Sequence, residues 1–166
     1  MNIKNTLLQE FKDEAAITKR FFANFPDDKI DYRPHEKSMN MQELANHVIE
    51  ILGWPDFMLN SEKLDFEAGD YVPSAISTAA DFQSKANELI QKSEEALQNT
   101  TEQVLEQDRW QMAMGDHILA DWNKYGAIRH ALNQLTHHRA QLGVYYRLND
   151  LKVPGSYGPS ADEQSF

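Results

Sequence analysis

An all-α, up-down-up-down four-helix bundle is the fold this sequence predicts, and three observations predict it. Apolar residues recur at steps of three and four along four long segments, the period of a helix with one buried face. Turn residues are scarce: seven glycines and six prolines in 166 residues make about 8%, against a usual ~12%. That leaves little room for a many-stranded β fold. The length suits one domain, which at this size buries roughly 70% of its unfolded surface, and an apolar content of 41% supplies the core. Four such helices in one domain pack as an antiparallel bundle.

The predicted helices lie near residues 2–25, 40–60, 78–98 and 121–148. In the first, Ile3, Leu7, Phe11, Ala15, Thr18, Phe22 and Phe25 form one stripe, which Pro26 closes. The polar stretch Asp27 to His35 reads as a loop. Asn40 opens the second helix, with Glu43 three residues on as a capping box. Met41, Leu44, Val48, Ile51 and Leu52 face inward, and Gly53-Trp54-Pro55 kinks or ends the helix because Pro55 lacks a backbone donor. Residues 61–76 read as a loop. The third helix turns Phe82, Ala86, Leu89, Ile90, Ala96 and Leu97 inward. Residues 100–120 carry no clear period: Thr101 to Leu105 fits a short helical turn and Trp110 to Leu119 an extended segment. The fourth helix buries Ile128, Leu132, Leu135, Leu142 and Tyr146. The domain organisation is a bundle over 1–150 and an irregular tail over 151–166. Within the tail, Pro154-Gly155-Ser156-Tyr157-Gly158-Pro159 is shaped to lie on a surface, over the open bundle end or on a neighbouring subunit.

Charge and composition remove several function classes. The formal net charge is −10, which disfavours nucleic-acid backbones and acidic membrane surfaces as partners. Without cysteine there are no disulfides, thiolate metal sites or thiol nucleophiles in these residues. No secretory leader pattern and no apolar run of ~18 residues is present, so a cytoplasmic location is expected. No Gly-rich phosphate loop and no Gly-x-Ser-x-Gly elbow occurs.

The histidines are the informative residues. His47 lies between Leu44 and Ile51 on the buried side of helix two, and His138 between Leu135 and Leu142 on that of helix four. Two imidazoles pointing into one bundle either share an ion or are core histidines bonded to backbone or carboxylate. Gln134, four residues before His138, occupies the same face one turn earlier. Its amide oxygen is a neutral and poorer donor to late transition metals than nitrogen. His130 lies roughly 12 Å along the axis from His138, too far for a shared ion. Glu43 and Glu50 flank His47 at helical spacing and either orient its ring or remain solvated charges. Asp116-His117 is the weakest metal candidate.

Three segments carry a resemblance: Asp31-Tyr32-Arg33-Pro34, Met41-Gln42-Glu43-Leu44-Ala45-Asn46-His47, and Asn133-Gln134-Leu135-Thr136-His137-His138-Arg139-Ala140-Gln141-Leu142. Over nearly its full length the chain resembles the DinB/YfiT-like family of metal-dependent four-helix bundles. The last segment is similar to the family's helix-four signature, in which a His, a second His four residues later and a following Arg-Gly-Gln recur. The family is usually dimeric, and three histidines from helices two and four bind zinc or nickel near one bundle end. The resemblance implies that His47, Gln134 and His138 stand at the ligand positions, with Gln134 in place of a usual His and Ala140 in place of the Gly. It also implies a homodimer, for which Phe21, beside the buried stripe of helix one, offers a spare apolar group.

Two functions follow as expectations. The first is a metal-dependent enzyme of the hydrolase or thiol-cofactor transferase type acting on a small polar molecule. There His47 and His138 hold zinc or nickel, Gln134 completes the site or contacts substrate, and Arg139 pairs with an anionic substrate group. The second is a non-catalytic, stress-associated binding or scaffold bundle with a degenerate metal site, which the glutamine at 134 favours.

Overall fold

The computed structural model describes residues 2–164. Helix α1 (Ile3–Ala23) starts at Asn2, whose side chain accepts from the Asn5 N–H. Helix α2 (Met41–Ile51) carries the expected capping box: Asn40 accepts from the Glu43 backbone, and the Glu43 carboxylate accepts from the Asn40 N–H. The chain breaks at Leu52-Gly53 and resumes as α3 (Trp54–Asn60), with Pro55 in its first turn, where a missing donor costs nothing. A Cβ at Gly53 would stand 3.0 Å from the Leu89 side chain, which would have to give way slightly. Strand β1 (Lys63–Asp65), helix α4 (Ala79–Asn99), helix α5 (Glu102–Gln107), strands β2 (Arg109–Met114) and β3 (His117–Asn123), and helix α6 (Lys124–Leu148) complete the order.

Helix α1 packs on α4 and α6, α2 lies against α6, and α3 lies between α4 and α6. Phe22 stacks on Phe82 with ring centres 5.0 Å apart, and Phe25 meets the same ring at 4.6 Å. Phe21 is buried with them, 6.0 Å from the Tyr146 ring, so it is a core residue and not a spare group for a partner.

The all-α expectation is overturned. Among the described residues there are six helices and a three-stranded mixed sheet in the order β1-β2-β3. Strand β1 runs parallel to β2, pairing Leu64 with Met112, and β2 runs antiparallel to β3, pairing Trp110 with Trp122. The sheet exists because its aromatics have a core to enter. Trp110 is buried, stacks on Trp122 at 6.3 Å, and donates its indole N–H to Ser61 Oγ at 3.1 Å. Trp122 in turn receives the His130 ring at 4.8 Å, which gives that histidine a packing role. The hairpin turn uses Gly115 at φ +57°, whose N–H donates to the Asp65 carboxylate and so ties the turn to β1. Because Asp121 to Asn123 belong to β3, the last helix begins at Lys124, three residues later than its predicted start.

Residues 151–164 contain no helix or strand, yet they are anchored. Arg20 pairs with Glu163 at 2.9 Å, Arg147 with Asp162 at 2.5 Å, and the Tyr157 hydroxyl donates to Glu14 at 2.8 Å. The segment is a strap across α1 and α6.

Candidate functional site

Helices α2 and α6 bring His47 and His138 together. Their ring centres are 4.4 Å apart and nearly perpendicular. Each is partly buried, and burial is the main reason both imidazoles lose affinity for a proton. His47 is pushed down to about 4, with His138 adding repulsion, and His138 is lowered as well. Both rings are therefore neutral at pH 7. The Trp54 ring stands edge-on to His47 at 5.7 Å.

Gln134 also reaches this point, but it spends its amide on the neighbouring ring. His138 Nε2 lies 2.8 Å from Gln134 Oε1, and His138 Nδ1 lies 2.8 Å from Gln141 Oε1. A neutral imidazole has one N–H and one lone pair. It donates to one glutamine, and the other must turn its amide NH2 toward the lone pair. Both nitrogens of His138 are thus engaged. Gln141 at i+3 was not singled out in the sequence; its spacing from His138 is the signal that marks it.

Of the two carboxylates flanking His47, Glu50 comes to 4.0 Å from His47 Nδ1. Its oxygens accept from the Tyr71 hydroxyl at 2.7 Å and the Ser74 N–H. Burial and that bond push the Tyr71 hydroxyl well above the usual phenol range, so it remains a donor. Glu43 is spent on the capping box and on Arg33. The loop carrying Tyr71 and Ser74 is pinned to α2 by Asn46. That side chain accepts from the Ile76 N–H at 2.9 Å and donates to the Ile76 carbonyl at 2.8 Å. Tyr71 and Ser74 were missed in the sequence, since an aperiodic loop gives no sign of where it lands.

Next to the histidine pair opens a cleft of about 480 Å³, walled by Trp54, Phe57, Phe66, Tyr71, Leu89 and Met112, with His47 and Glu50 at its edge. Arg139 does not face it. It is 2% exposed and points at α1, where it pairs with Glu14 at 2.6 Å and donates to the Thr18 hydroxyl and to the Tyr157 oxygen. No surface of Arg139 is left to meet a substrate anion. His137 and His117 are exposed.

A DinB family model matches residues 1–165. The chain belongs to the DinB family. Solved structures agree on the fold: a DinB-like protein from Bacillus subtilis, 17% identical, covers 97% of this chain and 99% of its own, with a TM-score of 0.69. A DinB-like protein from Bacillus cereus, 20% identical, covers 90% of this chain and 94% of its own, with a TM-score of 0.67. No curated protein sequence matches the chain. No helix of the described residues is long and apolar enough to cross a membrane.

The three-imidazole ion that the DinB resemblance implies does not fit these residues. Among the described residues no group of three histidines and carboxylates converges. The third donor would be the neutral Gln134 oxygen, and His138 has no nitrogen free of an amide partner. Zinc or nickel would have to displace one glutamine and accept the other as a ligand, a weak donor set for either ion.

Proposed function

We propose that this DinB chain is a small-molecule binding bundle whose family ion position is filled by amides, beside a cleft that His47 helps to line. The observation that carries the reading is the amide on each nitrogen of His138. A metal ligand needs one lone pair held for the ion, with the other nitrogen bonded to a carboxylate or carbonyl to orient the ring. Here the second partner occupies the place of the ion. What remains is a cleft of ordinary ligand-site size, mostly apolar, with a few polar groups at one end.

A second reading, a metal-dependent enzyme of the hydrolase or thiol-cofactor transferase type, is favoured by the 4.4 Å approach of His47 to His138. Elemental analysis of protein purified without chelator separates the two. The binding reading expects zinc and nickel far below one per chain, and a content near one per chain would overturn it.

A further inference from the structure

The cleft beside His47 has a charge character that its shape does not explain. Glu50 is 12% exposed at its side chain and points to the cleft edge. It accepts hydrogen bonds from Tyr71 and Ser74, but no lysine or arginine lies within 4.0 Å of it among the described residues, and His47 stands at that limit. A carboxylate this far from water without a cation costs free energy unless something positive reaches it. Asp70, more exposed, lines the same cleft and accepts from the Asp65 N–H, with no basic side chain within 4.0 Å among the described residues. Lys85, the basic residue of the lining, is already paired with Glu88 at 2.9 Å.

The walls supply the other half of the recognition. Trp54, Phe57, Phe66 and Tyr71 line the cleft, and the last three are more than a third exposed. Phe66 meets Tyr71 edge-on at 6.2 Å, so the two rings form a corner instead of a flat wall. Aromatic faces attract cations through their quadrupole, most strongly where water is excluded, and quaternary ammonium groups are held in this way. An anion in the same place would meet two carboxylates and the negative faces of the rings.

Deepening the binding reading above, we propose that the cleft takes an alkyl- or arylammonium compound, its cationic head between Glu50 and the aromatic rings and its apolar body along Leu89 and Met112.

The test is calorimetric titration of the full chain with octyltrimethylammonium, octanoate and 1-octanol, which share one tail and differ in head charge. The ammonium should bind one per chain, at least about tenfold tighter than octanol, with octanoate weakest. Glu50→Gln should bring the ammonium down to the affinity of octanol and leave octanol within about twofold. Diffuse attraction to a chain of net charge −10 would hardly change with one carboxylate. Because Glu50 also anchors the loop, Asp70→Asn provides a second variant, expected to weaken the ammonium alone. If octanoate binds as well as the ammonium, or both variants leave the ammonium unaffected, the ligand class is wrong and the binding bundle stands. If none of the three probes binds, the cleft is no site and the binding reading falls with the inference.

Discussion

Gln134→His should convert a weak zinc ligand set into a tight one without disturbing the fold. An ion with bonds of ~2.1 Å spans two nitrogens up to about 4.2 Å apart, and rings whose centres lie 4.4 Å apart can present nitrogens within that reach. Position 134 lies one turn before His138, and the 2.8 Å contact between them means their side chains already meet. The exchange loses one hydrogen bond, about 0.5–1.5 kcal/mol, and gains a third imidazole. Altering a group that merely orients a ligand changes metal affinity about 10–100-fold. A gained ligand should therefore give at least about 100-fold, or ~2.7 kcal/mol. The gain should appear for zinc, nickel and copper and be absent for magnesium and calcium. Calorimetric titration of both proteins at pH 7, with melting curves alongside, measures it. Equal zinc affinities with a lower melting temperature in the variant would refute the reasoning. Position 134 would then be a packing position, overfilled at a cost of about 1–3 kcal/mol.

Three further outcomes are expected. Arg139→Ala leaves the Glu14 carboxylate buried without its partner and should cost about 3–5 kcal/mol in urea unfolding; Glu14→Met with Arg139→Met should recover most of it, and a single-variant loss below ~1 kcal/mol would contradict the assignment. His47 binds its proton near 4 when folded and near the ordinary imidazole value of 6.5 when unfolded, so the unfolded chain takes up more protons between those values. Its contribution to stability is intact above pH 6.5 and is lost as pH falls toward 4; a melting temperature that falls as steeply in His47→Gln would assign the acid sensitivity elsewhere. Asn46→Ala removes the clamp on Ile76 and should cost about 1–3 kcal/mol, with faster amide exchange over residues 70–78 and none over α6; unchanged exchange in that loop would show the clamp to be redundant.

The long helices were legible because each has a single buried face, and the stripes of α1, α2, α4 and α6 repeat at helical spacing. The sheet was not. Strand β1 has three residues, too few for a period, and β3 is an edge strand on which Ile118 and Leu119 are both about half exposed. Its apolar residues therefore do not alternate, and the helical pattern after it absorbed Asp121. The meeting of His47 with His138 could be read from spacing, since both lie beside buried leucines. The burial of Arg139 could have been read the same way. It lies four residues after Leu135 and three before Leu142, on the inward stripe, while Glu14 and Thr18 lie beside Phe11 and Ala15 on α1. Its position next to His138 concealed this, because one residue turns about 100° around the helix. The amides on His138 were beyond reach, as they depend on two glutamine rotamers.

The strap over α1 also bears on how the chain is made. Glu14 on α1 receives a hydrogen bond from Tyr157, 143 positions later in the chain. At ~5–20 residues per second, that interval lasts about 7–30 s. Throughout it α1 carries a carboxylate on its apolar face with neither Arg139 nor Tyr157 to answer it. Packing of that face with its carboxylate answered therefore waits for α6 and the strap. A product that stops before Arg139 lacks both groups that answer the carboxylate of α1.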